Sequence, residues 1–169
     1  DLVLPEEKEE NKKAKALTKT ELEDLLSIIK PEKDYMICLI AATCGLRVGE
    51  ILGLTWNDID KERKILKVNK QWKMLKNGQI GFGAVKRQNS NREVPIPDKT
   101  LNELLEYKKN NPTDIYNRII LDKDVFAVSK RINPKLKRYG YDITIHNLRH
   151  TYATNLVANG IDFKTIAQL

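Results

Sequence analysis

The chain has 169 residues, 41% of them hydrophobic and 31% charged, and a net charge of +7. That is the make-up of a folded soluble protein with one core, which excludes general disorder and leaves no room for two ordinary domains. No apolar run approaches the ~20 residues a membrane helix needs, and D-L-V-L-P-E-E-K has neither the basic nor the apolar stretch of a signal peptide.

Residues 1–16 are charged and almost without period, and read as a linker or the remnant of an upstream segment; with no initiator Met, the chain reads as part of something longer or as processed. Ordered structure is expected from residue 17 onward. T-K-T-E pairs Thr18 with Glu21 as a capping box, and Leu22, Leu25, Leu26 and Ile29 follow at helical spacing until Pro31. A second helix over Glu32–Thr43 is apolar nearly all round, so it belongs at the centre of the core, and Gly45 ends it. A short helix from Arg47 to about Leu54 leads into the turn-rich T-W-N-D-I-D. The alternating I-L-K-V-N-K-Q-W-K-M-L, the Asn77–Gly78 turn signal, Q-I-G-F-G-A-V-K and R-E-V-P-I-P then predict three antiparallel strands. Asp98 is expected to cap a helix that N-N-P ends. A further helix spans Val125 to about Tyr139 unless Pro134 breaks it. Another covers His146 to about Asn159, with Gly160 as its stop. Asp162 opens a last one. The class is mainly α with a small three-stranded antiparallel sheet (α+β).

Cys38 and Cys44 sit in the apolar stretch and read as reduced core residues of a cytoplasmic protein. With only His146 and His150 beside them, no metal site is expected.

The charge is concentrated. Between Lys61 and Arg92 stand ten basic residues and one acid, Glu62, so this segment carries +9 and the remainder −2. Such a block is either the footprint of nucleic-acid binding, through Lys70, Lys73, Lys76, Arg87 and Arg92, or a solvated lysine-rich hairpin. Three motifs carry chemistry. G-L-R-V-G-E puts Arg47 and Glu50 one helical turn apart: a phosphate grip with its orienting carboxylate, or an ordinary surface pair. In V-K-R-Q-N-S-N-R-E-V-P-I, Lys86 at the tip of the strand pair can donate a proton with Arg87 and Arg92 lowering its pKa, or merely touch a phosphate. H-N-L-R-H sets His146, Arg149 and His150 on one helix face, suited to handling a phosphate and moving protons near neutral pH, or to a satisfied structural cluster.

In this order and spacing, G-L-R-V-G-E, the K-x-x-x-S-x-R pattern Lys86–Ser90–Arg92 leading into V-P-I-P, and H-N-L-R-H-T-Y-A-T-N-L resemble the catalytic domain of the tyrosine recombinases, the phage and transposon integrases and Xer-type resolvases. The resemblance runs from about Leu17 to Leu169. It implies that Arg47 and Arg149 clamp the scissile phosphate, Lys86 protonates the 5′-hydroxyl leaving group, His146 is base or phosphate ligand, and Glu50 and His150 orient these groups. It implies double-stranded DNA as partner, a tetramer for the full-length parent and a monomer for this chain, no cofactor, no metal, no membrane, and work in the bacterial cytoplasm on nucleoid DNA. The family's nucleophilic tyrosine falls after the last helix, so residues 17–169 are expected to be a catalytic domain incomplete at its C-terminal end, with no nucleophile among the six tyrosines and Tyr152 a packing residue. Two other readings are a DNA-binding module that keeps the fold without the chemistry, and a basic helical domain for RNA or a protein partner.

Overall fold

A computed structural model describes residues 15–85 and 90–160. Helix α1 (Lys19–Ile28) starts as the capping box demands: the Thr18 hydroxyl accepts from the Glu21 N–H at 3.2 Å and the Glu21 carboxylate accepts from the Thr18 N–H at 2.8 Å. Leu22 and Leu25 turn inward. Helix α2 (Glu32–Cys44) is the core's axis, buried on nearly every side. Gly45 caps it at φ +70°, and a Cβ there would meet the ring of Tyr152 at 2.2 Å. Only glycine suits both the left-handed backbone and that contact.

Helix α3 (Val48–Gly53) follows, with Arg47 at its cap position and Glu50 in its first turn. A 3₁₀ turn (Trp56–Asp58) leads to β1 (Ile59–Asp60), β2 (Ile65–Val68), β3 (Gln71–Met74), β4 (Ile80–Gly83) and β5 (Arg92–Pro95). The small three-stranded antiparallel sheet exists, but its members differ from those expected: its order is β1–β2–β5, while β3 and β4 form a separate two-stranded ribbon. The alternating run divides because Lys70 occupies the inward phase set by the buried Leu66, Val68 and Trp72, and its ammonium turns to Asp58. Asn77–Gly78 does mark the turn. Gly78 sits at φ +80° beside the closing pair Leu75 and Gln79, a longer loop than a two-residue turn.

Trp72 anchors the ribbon. Its indole donates to the Lys123 carbonyl at 2.9 Å, Phe82 and Tyr116 meet it edge-on and tilted, and the Arg118 guanidinium stacks 3.6 Å from its ring centre.

Helix α4 (Asp98–Asn110) is capped at Pro97, not Asp98, whose carboxylate instead takes Lys64. Helix α5 (Val125–Arg138) runs unbroken through Pro134, which lies on the exposed face, where the carbonyl it leaves without a partner can meet water. Helix α6 (Ile145–Ala158) packs on α2. Its cap is Thr144, whose N–H donates to the Asn147 side chain at 2.8 Å. The helix expected from Asp162 lies outside the described residues. Cys38 and Cys44 are unpaired and buried, and burial pushes both thiols up to about 12. Among the described residues no cluster could hold a metal ion and no helix is long and apolar enough to cross a membrane.

Candidate active site

The cleft forms where the cap of α3 meets the first turn of α6. Arg47, Gly49, Gln71, Ser129, His146 and Arg149 are among its lining, around about 430 Å³ of open space. Arg47 and Arg149 lie far apart in sequence. The core brings them together, because α2 ends at Gly45 directly under Tyr152 of α6.

Beneath the cleft lies Glu50, 2% exposed. Its Oε1 accepts from Arg47 Nη1 at 3.2 Å and Arg92 Nη1 at 3.1 Å. Its Oε2 accepts from the Arg47 N–H at 2.9 Å and Arg92 Nη2 at 3.2 Å. Burial alone would push this carboxyl up. The Arg92 and Arg47 hydrogen bonds and charges more than reverse that, so Glu50 stays ionised below its usual range.

Arg149 is treated differently. Its Nη1 stands 3.9 Å from Glu50 Oε2, close enough for attraction but too far for a hydrogen bond. That nitrogen is buried without a partner among the described residues. Desolvation, then the charge of Arg47, lower its pKa to about 10, so it is still a cation at neutral pH but a poorly compensated one.

His146 lies at the solvent side of the cleft. Desolvation by the walls, then the positive charges of Arg149 and Arg47, bring its pKa below the ordinary 6.5. It is therefore neutral at pH 7 and able to accept a proton. Because the folded state holds this proton less tightly than the unfolded chain, the site should cost stability as the pH falls through 6.5 toward the folded value. Imidazole NMR should show His146 titrating below 6.5, and Arg149→Met should move it upward; a titration at or above 6.5 contradicts the electrostatic picture.

The other expected residues divide. His150 is exposed on α6, one turn beyond His146, and does not line the cleft. Lys76 is exposed at the ribbon turn. Lys73 lays its stem over Gly83, and Lys70 is tied to Asp58. Arg92, read from sequence as a DNA contact, is instead 6% exposed in its side chain and forked onto Glu50. Lys86 and Arg87 lie outside the described residues. Sequence reasoning missed Gln71, Ser129 and Asn133 in the cleft wall. The only advance signal was that Asn133 falls one turn from Ser129, on the face of α5 turned to α6, where it accepts from the Ile145 N–H at 3.0 Å.

The sequence pattern described as the phage integrase family matches residues 15–169. The chain belongs to that family. Among its relatives, tyrosine recombinase XerA of Thermococcus kodakarensis is 32% identical over 165 residues, covering 92% of this chain and 53% of the relative. The transposase from transposon Tn916 of Enterococcus faecalis is 27% identical, over 89% of this chain and 43% of its own. The chain thus spans about half the length of the curated relatives it matches. Among solved structures, the Tn1549 transposon integrase in complex with transposon right end DNA superimposes with a TM-score of 0.79 at 24% identity, over 98% of this chain and 59% of that one. The XerA recombinase crystal structure gives 0.69 at 24% identity, over 90% and 54%. These likenesses establish the fold, that of tyrosine-recombinase catalytic domains within the integrase family.

Proposed function

We propose that this chain is the catalytic core of a tyrosine-type site-specific DNA recombinase, which breaks and rejoins double-stranded DNA through a 3′-phosphotyrosyl link. The observation that carries this reading is one open cleft lined by Arg47, Arg149 and His146 above a buried, ionised Glu50. Such a cleft fits a phosphodiester. The two guanidiniums bind its non-bridging oxygens and stabilise the extra charge of the five-coordinate transition state. A tyrosine oxygen attacks phosphorus, its proton passing to neutral His146. The bond from phosphorus to O5′ breaks, and the 5′-oxygen takes a proton from Lys86. The phosphotyrosyl link keeps the energy of the phosphodiester, so rejoining needs no ATP. His150 assists from the helix face beside His146. The surface lysines Lys73 and Lys76, with Arg87, hold the flanking backbone without reading sequence. The partner is duplex DNA, with four copies of the full-length protein on two duplexes and this chain alone a monomer. Its place of work on this reading is the bacterial cytoplasm.

None of the six tyrosines is the nucleophile on this reading. Tyr35, Tyr139 and Tyr141 pack on the core and Tyr107 is within it. Tyr116 belongs to the Trp72 aromatic cluster and Tyr152 lies over Gly45. A nicked duplex bearing the recombination site should give a denaturation-resistant protein–DNA band with the full-length protein and none with residues 1–169 alone. A covalent band from the chain alone overturns the assignment of the tyrosines. Binding without any covalent band from the full-length protein favours a DNA-binding module that keeps only the fold.

A further inference from the structure

Three guanidiniums surround one carboxylate at the floor of the cleft, and they are not equivalent. Each oxygen of Glu50 already accepts two hydrogen bonds, one from Arg47 and one from Arg92. A carboxylate oxygen offers about two acceptor positions, so Glu50 is saturated. Arg149 Nη1, 3.9 Å from Oε2, is attracted to a partner that has no position left for it. Arg92 is the cause. It approaches as a two-pronged fork, its side chain only 6% exposed, and its Nη1 also donates to the Ser90 carbonyl at 2.9 Å, which fixes the fork's angle. Arg92 is shut away from the cleft, so it does not meet a phosphate itself.

We propose that Arg92 is a positioning residue: by filling the remaining acceptor positions of Glu50 it keeps the Arg149 guanidinium available to the phosphate. With Arg92 gone, a buried carboxylate with two open positions stands next to an under-partnered guanidinium. Arg149 closes the gap, pairs with Glu50, and turns its donors down and out of the cleft. The third cation also leaves the cluster with an excess of positive charge, which suits a transition state more negative than the ground-state phosphodiester. This inference rests on the reading of Arg149 as a phosphate clamp.

The test uses the cleavage-competent full-length protein and two nicked duplexes, one with a normal scissile phosphodiester and one with a methylphosphonate there. The methylphosphonate is neutral and has less need of a charged clamp. Arg92→Met should slow phosphodiester cleavage about 100-fold at saturating DNA, while the DNA concentration for half-maximal rate changes less than about twofold. Arg92→Lys, which restores the charge but not the fork, should lose about tenfold, and it carries the test if the methionine variant fails to fold. On the methylphosphonate both penalties should shrink below about threefold, in parallel with Arg149→Ala. Equal losses on both substrates mean that Arg92 merely supports the fold and overturn the proposal. Undiminished cleavage by Arg92→Met does the same. If Arg149→Ala itself loses equally on both substrates, the clamp reading fails first and the inference falls with it.

Discussion

Arg149→Ala in the full-length protein should reduce cleavage of a nicked duplex by at least about 1,000-fold, close to 4 kcal/mol of transition-state stabilisation, while duplex binding weakens less than about threefold. The asymmetry follows from the resting geometry. Arg149 Nη1 is buried with no hydrogen-bond partner among the described residues, and desolvation and Arg47 together lower its pKa to about 10. A guanidinium so poorly compensated gains most from the state carrying most negative charge, so its loss is felt in the barrier more than in binding. The fold should tolerate the change, because it removes a cation that Arg47 repels. Single-turnover rates, gel-shift affinities and thermal melting separate these effects. Equal losses in rate and affinity would reduce Arg149 to an ordinary binding contact.

The second large effect concerns stability. Asp34, fully buried on α2, accepts from Arg131 at 2.8 and 3.0 Å and from Lys135. Arg131 in turn binds Asp122 at 2.6 Å, and Lys33 reaches Asp122 at 3.2 Å. Burial would raise the Asp122 carboxyl, but the Arg131 hydrogen bond and charge overcome this and hold it low, while Asp122 and Asp34 raise the pKa of Arg131. Asp34→Ala leaves Lys135, 13% exposed in its side chain, without a counter-charge and Arg131 with Asp122 alone. The expected cost is about 3–5 kcal/mol, a fall in Tm of roughly 10 °C for a chain of this size. Replacing Asp34 and Lys135 together by leucine and methionine, with Arg131 left on Asp122, should recover much of it, since the penalty lies in the unpaired charge. A Tm within about 2 °C of the parent for Asp34→Ala would show that the network contributes little.

What could be read in the sequence was what is local. The Thr18 box, the all-round burial of α2 and the spacing of His146 and Arg149 depend on neighbours within a turn or two, and periodicity reports those directly. The association of G-L-R-V-G-E with H-N-L-R-H came from family resemblance, not from spacing. Arg92 was misplaced because its charge sits in a basic run, while its partner is 42 positions away on α3. Nothing in R-E-V-P-I-P says that this arginine faces inward. Asp34 and Arg131 are 97 apart and equally silent. The division of the strands at Lys70 also depended on a distant acid, Asp58, which no alternation pattern reveals.

The Tyr152 ring over Gly45 has a consequence for how the two arginines behave under changing solution conditions. Arg47 follows Gly45 by two residues and Arg149 precedes Tyr152 by three. This ring-on-backbone contact is thus part of the α2–α6 packing that holds Arg47 and Arg149 at their spacing. A van der Waals contact is not screened by ions and has no proton to lose, unlike the lysine contacts with DNA proposed above. Salt that would strip a duplex from the lysines should leave the spacing of Arg47 and Arg149 as it was, so that on the proposed reading the cleft stays at working width through changes of ionic strength.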